Sequence, residues 1–123
     1  MSSHVDRWER HLRRMEERQT DSQAAAVVAA VRDVWTRLRA EVPELPVPTA
    51  GPLPGGLAFG YEMAWFDKDQ RLALHLEVSY WACEWCYREE GATVAGGLWP
   101  IVAPVQPELI GACQRLMRRT DHA

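Results

Sequence analysis

Apolar and polar residues alternate between Leu57 and Tyr87, and this alternation constrains the fold more than any other part of the chain. A period of two is typical of a β-strand that buries one face. A polar cluster at residues 67–70 interrupts the pattern and has the composition of a hairpin loop. The segment therefore predicts an antiparallel hairpin with one apolar face.

The apolar positions also predict how the two strands pair. We expect Phe66 to face Arg71 across the loop, because the partner pairs that follow are then all apolar. These pairs are Trp65 with Leu72, Met63 with Leu74, Tyr61 with Leu76, and Phe59 with Val78. A slip by one residue would move one apolar set to the other face, so the agreement favours this register.

Further strands are predicted after the hairpin. Residues 83–88 alternate again, with Cys83, Trp85 and Tyr87 on the apolar face and Glu84, Cys86 and Arg88 on the other. A weaker pattern near residues 93–95 indicates a fourth strand. Since a small sheet with one apolar face is not stable alone in water, helices must cover that face.

The clearest helix is predicted from Ser22 to Glu41. Its apolar residues recur at spacings of three and four, and they are Val27, Val31, Val34, Trp35 and Leu38. Thr20 and Gln23 have the spacing of a capping box, and Pro43 follows the end of the helix.

Two shorter helices are predicted at the ends of the chain. Residues 1–19 carry a helical stripe that is out of phase with the main helix, which indicates a break near residues 19–21 and an N-terminal helix at the periphery. Pro107 suits a first helical residue, and an apolar stripe follows it as far as Arg118 and Arg119.

The order of these elements predicts a single α+β domain over residues 1–123. N-terminal helices come first, a proline-rich connector at residues 43–56 follows, and then come an antiparallel meander of three to four strands and a C-terminal helix. The layout resembles that of many small bacterial proteins without indicating a family.

Composition narrows the classes of function. The chain has no apolar run long enough to span a membrane and no leader pattern, and its three cysteines fit a reducing compartment, so we expect a cytoplasmic protein. The formal net charge is −3, and residues 57–97 hold seven acidic and three basic residues. This balance disfavours nucleic acid as a partner. Five arginines in residues 1–20 are expected to form a solvated helix face beside four acidic residues.

Cys83 and Cys86 are the candidate metal ligands. A structural zinc site needs four ligands, and the further candidates are scattered: Cys113, His75, His4, His11 and His122. Residues three apart on a strand point to opposite faces, so we expect Cys83 in the core and Cys86 on the other face. A zinc or redox protein built on this pair remains the alternative, and no cofactor is otherwise expected.

The predicted register brings Glu62, His75 and Glu77 together on the polar face of the sheet. A carboxylate can orient an imidazole for acid–base chemistry, which leaves a small enzyme as a third hypothesis. The simpler interpretation is a cross-strand charge pair facing water.

Aromatic residues point towards a binding function. The chain has six tryptophans, and a small sheet under two or three helices does not readily bury all of them. Trp8, Phe66, Trp81 and Trp85 are the candidate partner-binding residues, since exposed aromatic side chains often dominate interface energies. We therefore expect a non-enzymatic interaction module, an adaptor, inhibitor or regulator, whose protein partner carries a basic surface. Self-association through the N-terminal helix or an open sheet edge is a further expectation.

Overall fold

Two helices precede an antiparallel sheet of five strands, and a third helix follows it. A computed structural model describes residues 3–120. The helices are α1 (His4–Glu17), α2 (Ser22–Glu41) and α3 (Pro107–Thr120). The strands are β1 (Thr49–Pro52), β2 (Tyr61–Phe66), β3 (Leu72–Val78), β4 (Ala82–Glu89) and β5 (Ala92–Pro100), and each pairs with the next along the chain. The predicted α+β class is confirmed, with a sheet of five strands instead of three to four.

Helix α2 has the predicted bounds, but its N-terminus is capped differently. The side chain of Asp21 accepts hydrogen bonds from the backbone N–H groups of Gln23 and Ala24, at 2.8 and 3.2 Å. The predicted capping box of Thr20 and Gln23 is therefore wrong, because a carboxylate one residue nearer to the helix takes the cap. The Gln23 amide instead donates to the carbonyl oxygen of Ala58, 2.9 Å away.

Helix α1 ends before the predicted break and packs on α2. Trp8 and Leu12 are its buried residues, and the ring of Trp8 meets that of Trp35 edge-on at 6.1 Å between centroids. Glu9 accepts a hydrogen bond of 2.9 Å from the Trp35 indole N–H. An apolar stripe and a partly buried polar contact thus join the two helices.

All three helices contribute to one core on the aromatic face of the sheet. The sheet residues buried there include Tyr61, Met63, Trp65, Leu74, Leu76, Val78, Cys83, Trp85, Tyr87 and Trp99. The predicted apolar face of the hairpin and that of the third strand are both confirmed. Because the helices cover this face, the other face of the sheet is directed towards solvent.

The predicted pairing of β2 with β3 is wrong by two residues. Met63 pairs with Leu76 instead of Leu74, and Glu62 pairs with Glu77 instead of His75. The loop begins at Asp67 as predicted but ends one residue later, at Arg71, where the Asp67 side chain accepts from the backbone N–H of Leu72 at 2.9 Å and closes the hairpin. A shift by two keeps every side chain on its face, so the apolar pattern cannot detect it.

The proline-rich connector and its surroundings also differ from expectation. Residues 49–52 form an edge strand, β1, which suits a segment that ends in Pro52 because proline cannot donate to a further ladder. The expected start of the first hairpin strand, Leu57–Phe59, forms a short 3-10 helix instead. Strand β5 is far longer than the predicted residues 93–95, although Gly96 and Gly97 weaken its sequence pattern.

Candidate functional site: the open face of the sheet

The candidate site lies on the sheet face opposite the helices, which we call the open face. Cross-strand pairing shows which side chains share it, since directly paired residues lie on the same face. The open face includes Thr49, Gly51, Glu62, Ala64, Phe66, Ala73, His75, Glu77, Glu84, Cys86, Arg88, Thr93, Gly96 and Leu98. Most of its side chains are half-buried or exposed.

Three glutamates form a row across the centre of the open face. Glu62 pairs with Glu77, and Glu77 pairs with Glu84, so the carboxylates occupy neighbouring positions on β2, β3 and β4. Neighbouring strands are about 4.8 Å apart, which keeps like charges close together. We call Glu62, Glu77 and Glu84 the acidic row. It ends beside Leu98 on β5.

Few cations of the chain lie near the acidic row. The His75 Nε2 atom is 3.2 Å from a Glu62 carboxylate oxygen, and both side chains are close to half exposed. Arg88 is on the same face but pairs with Ala73, beyond the row of His75. Within residues 3–120, no arginine or lysine forms an ion pair with Glu77 or Glu84. Among residues 3–120, His75 is therefore the one basic side chain in direct contact with the row.

A cleft lined by aromatic and aliphatic side chains adjoins the acidic row. Its volume is about 200 Å³, and its walls include Phe59, Trp81 and Leu98 together with Glu77 and Glu84. Phe59 is 69% exposed and Trp81 is 50% exposed, so large apolar surfaces face water beside two carboxylates. We call this feature the aromatic cleft.

The predicted partner-binding residues divide into two pairs. Phe66 and Trp81 are both half exposed, and Phe66 lies on the open face. Trp8 and Trp85 are buried in the core, where they contact the helices and are not available to a partner. Burial follows from their positions, since Trp8 faces α2 and Trp85 alternates onto the helix-covered face.

The sequence does not indicate Phe59, Glu84 or Leu98 as site residues. Its alternation predicts Phe59 on the apolar face of a strand, whereas the residue lies in a 3-10 helix that turns the ring outward. The alternation also predicts Glu84 on the polar face, but no cross-strand neighbour for it, since it does not predict how the third strand pairs. Around Leu98 the alternation is too weak to extend the fourth strand beyond residue 95.

The two candidate metal-ligand cysteines lie on opposite faces of β4. Cys83 is buried, and desolvation, with a smaller contribution from nearby Cys113, raises the pKa of its thiol to about 12. Cys86 is half-buried on the open face, directly opposite His75 and 3.9 Å from the Thr93 hydroxyl. This arrangement gives no support to one ion shared by Cys83 and Cys86.

The other candidate ligands are similarly dispersed. His4 and His11 lie in α1, Cys113 is buried in α3, and His122 lies outside the described residues. Glu62, His75 and Glu77 could supply ligand atoms to one ion, since these atoms lie within 4.8 Å of one another. Exposed acidic groups of this kind are common without an ion.

The chain matches no protein-family model, no curated protein and no solved structure. Within residues 3–120, no helix combines the length and hydropathy needed to cross a membrane. The assignment of the open face as the candidate site therefore rests on the geometry of its own residues.

Proposed function

We propose that this protein is a non-enzymatic interaction module that binds a partner protein through the open face of its sheet, and that the partner supplies a basic surface. The observation that carries the proposal is the acidic row. Its carboxylates pair directly across three strands, with no arginine or lysine bound to Glu77 or Glu84 within residues 3–120. Complementary charge on a partner would remove this repulsion and favour rapid association.

The acidic row has a cost that binding would offset. Like charges directly opposite each other destabilise an antiparallel pair, and here this occurs twice, between Glu62 and Glu77 and between Glu77 and Glu84. Proteins often accept lower stability at residues that function requires. The acidic row is thus better explained by binding of a positively charged partner than by a contribution to the stability of the sheet.

Exposed aromatic residues at two ends of the open face support the same function. Phe59 and Trp81 lie at the aromatic cleft, while Phe66 lies at the far end of β2. Tryptophan and arginine dominate many interfaces, and large exposed apolar side chains grouped together often mark binding surfaces. The open face therefore combines apolar anchors with a charged centre.

An enzyme is the alternative that one observation favours. Cys86 lies opposite His75, and His75 contacts Glu62, which is the order of groups in a site with a nucleophile, a base and an orienting carboxylate. These groups occupy a solvent-facing sheet surface, and none of the three lines the aromatic cleft. Catalytic sites more often lie in concave pockets that exclude water. Binding of a partner is therefore the function that we favour.

Site-specific photo-crosslinking tests the proposal. A photoreactive amino acid replaces Leu98 on the open face, and the variant is irradiated in its own cells. We expect it to cross-link to a protein whose attached segment contains arginine or lysine. Adding Glu77→Lys and Glu84→Lys should abolish that product, because the partner would then meet like charge.

The same label at Val102 provides the control. Val102 is 97% exposed but lies in the turn after β5, away from the open face. Equal products from positions 98 and 102, or a product unaffected by both lysines, would contradict the proposal. A cross-link to a second copy of this protein would show that the open face binds another copy and not a different protein. The exposed arginines of α1 could supply the basic surface in that case: Arg7, Arg10, Arg13 and Arg14.

A further inference from the structure

The aromatic cleft has the size of a site for one side chain. Its volume of about 200 Å³ is below the roughly 300–1,000 Å³ of typical small-molecule pockets. The cleft is lined by Phe59, Trp81 and Leu98 on its apolar side and by Glu77 and Glu84 on its charged side. An occupant that complements this lining needs an apolar stem or flat surface and a positive charge.

We infer that the aromatic cleft binds an arginine side chain of the partner. The inference rests on the proposed function and names the chemistry at its anchor. A guanidinium group is planar and has five N–H donors, so it can stack on the Trp81 ring while it donates to two carboxylates. Glu77 and Glu84 are direct cross-strand neighbours, which places both carboxylates within reach of one such group. Phe59 and Leu98 would cover the methylene stem.

Arginine suits this cleft better than lysine for three physical reasons. An ammonium group is a compact point charge that binds water strongly, whereas guanidinium is weakly hydrated. Its flat surface matches an exposed indole, and its fork of donors matches a pair of carboxylates. Lysine would satisfy the charge of Glu77 and Glu84 but would gain less from Trp81.

The protein contains a contact of a similar kind elsewhere, between an arginine and a tryptophan. The Arg37 guanidinium carbon lies 4.8 Å from the centre of the Trp99 ring, and the same group donates hydrogen bonds to the carbonyl oxygens of Ile101 and Ala103. Arg39 lies 5.4 Å from the Trp35 ring. A guanidinium that stacks on indole while donating to two oxygens is therefore compatible with this framework.

Binding of short peptides measures the preference of the cleft directly. The probes are three blocked tripeptides of sequence glycine–X–glycine, where X is arginine, lysine or citrulline. Citrulline keeps the shape of arginine but has no charge. Backbone and indole N–H chemical shifts of the whole ¹⁵N-labelled protein are followed during titration. We expect the arginine peptide to shift the signals of Glu77, Trp81 and Glu84 and to bind about tenfold more tightly than the citrulline peptide.

Two variants and two matched controls assign the binding site. Trp81→Ala, and separately Glu77→Gln with Glu84→Gln, should each weaken binding of the arginine peptide about tenfold. The aromatic control is Tyr80→Ala, because Tyr80 is 58% exposed but does not line the cleft. The charge control is Glu41→Gln with Glu44→Gln, which removes two exposed carboxylates outside the sheet. Both controls should bind as the native protein does.

Several outcomes would overturn the inference. These are equal binding of the arginine and citrulline peptides, equal binding of arginine and lysine, or full binding in the glutamine double variant with a native spectrum. Signals that shift with protein concentration alone would show that a second copy occupies the open face. The glutamine variant keeps the experiment decisive if Trp81→Ala does not fold.

The failure of this inference can be separated from failure of the proposed function. A charge-dependent cross-link from position 98 without binding of the arginine peptide would keep the open face as an interface but reject the arginine anchor. Peptide binding without any cross-linked partner would keep the arginine site and remove the support for a protein partner.

Discussion

Glu77 and Glu84 lie directly opposite each other on β3 and β4, with their side chains on the face that the helices leave open. Glu62 extends this contact to β2 and has the imidazole of His75 3.2 Å away. The charges of Glu77 and Glu84 have no such neighbour among the ion pairs of residues 3–120. This relationship links the stability of the sheet to its proposed binding function.

Removing one carboxylate of the pair should stabilise the protein. We expect Glu84→Gln to raise the free energy of unfolding by roughly 0.2–1 kcal/mol, since it removes a like-charge cross-strand contact. The gain should decrease as salt is added, because salt screens partly exposed charges. Urea denaturation at low and high ionic strength measures both effects. Glu44→Gln is the control, since Glu44 is exposed outside the sheet. A loss of stability in Glu84→Gln would show that the glutamates do not repel each other in the folded state.

Glu89 should make the free energy of unfolding depend on pH in the acidic range. Hydrogen bonding from Arg115 is the main cause that lowers the pKa of Glu89 to about 2, and the Tyr87 hydroxyl and the charge of Arg119 act in the same direction. An unfolded glutamate has a pKa of about 4.3. Because the folded pKa is the lower one, the stabilisation is complete above the unfolded value and is lost as the pH falls from about 4.5 to about 2.

Comparison with Glu89→Gln isolates this contribution. The native protein should be more stable than the variant at neutral pH by about 1–2 kcal/mol, and the difference should shrink as the pH falls towards 2. Unfolding curves at a series of pH values measure it. Glu90→Gln, at the exposed neighbouring position, should show little change at any pH. A constant difference for Glu89→Gln across this range would mean that shape, not charge, makes the residue important.

Cys86 should be the cysteine that reacts in the folded protein. Cys83 and Cys113 are buried, and desolvation is the largest cause that raises the pKa of each thiol to about 12. Because the thiolate is the reactive form, both should be protected until the chain unfolds. Brief treatment with iodoacetamide followed by mass spectrometry should find one modified cysteine, at position 86, and three after denaturation. Modification of Cys83 or Cys113 under native conditions would indicate that the core opens readily.

Gln106 should stabilise the protein by completing two hydrogen bonds beneath β5. Its side-chain oxygen accepts from the Trp85 indole N–H at 2.9 Å, and its nitrogen donates to the Leu98 carbonyl oxygen at 2.8 Å. Gln106→Ala leaves the N–H of a buried tryptophan without its acceptor, which should cost about 1–3 kcal/mol. Thermal or urea unfolding measures the loss. Gln114→Ala is the control, since Gln114 is exposed on α3. Equal stability of the two variants would show that water replaces Gln106.

Local periodicity was enough to predict most helices and the strand faces. The stripe from Val27 to Leu38 predicts the buried face of α2, and alternation from Cys83 to Arg88 predicts the two faces of β4. These patterns are reliable because each one reports which side chains leave water, and burial follows the repeat of the backbone. Only residues 93–95 of strand β5 are predicted, because glycines and exposed residues interrupt the alternation of the rest.

The candidate site was predicted only in part. Alternation predicts Glu62, His75 and Glu77 on one face, and aromatic content indicates Phe66 and Trp81 as binding residues. It did not bring Glu84 beside Glu77, because that contact depends on the pairing of β3 with β4. The outward direction of Phe59 depends on a 3-10 helix that its apolar neighbours did not indicate.

The sequence by itself determined which residues of the α-helices and of strands β2 to β4 face the core, since the α-helical and β-strand repeats place side chains on faces whatever their distant neighbours are. Only the tertiary structure decided which residues meet across strands. A register shift of two residues leaves every side chain on the same face, so alternation cannot distinguish the two registers. The hydrogen bond from the Leu72 N–H to Asp67 favours the observed register. The acidic row and the aromatic cleft depend on this register and on the pairing of β4 with both of its neighbours.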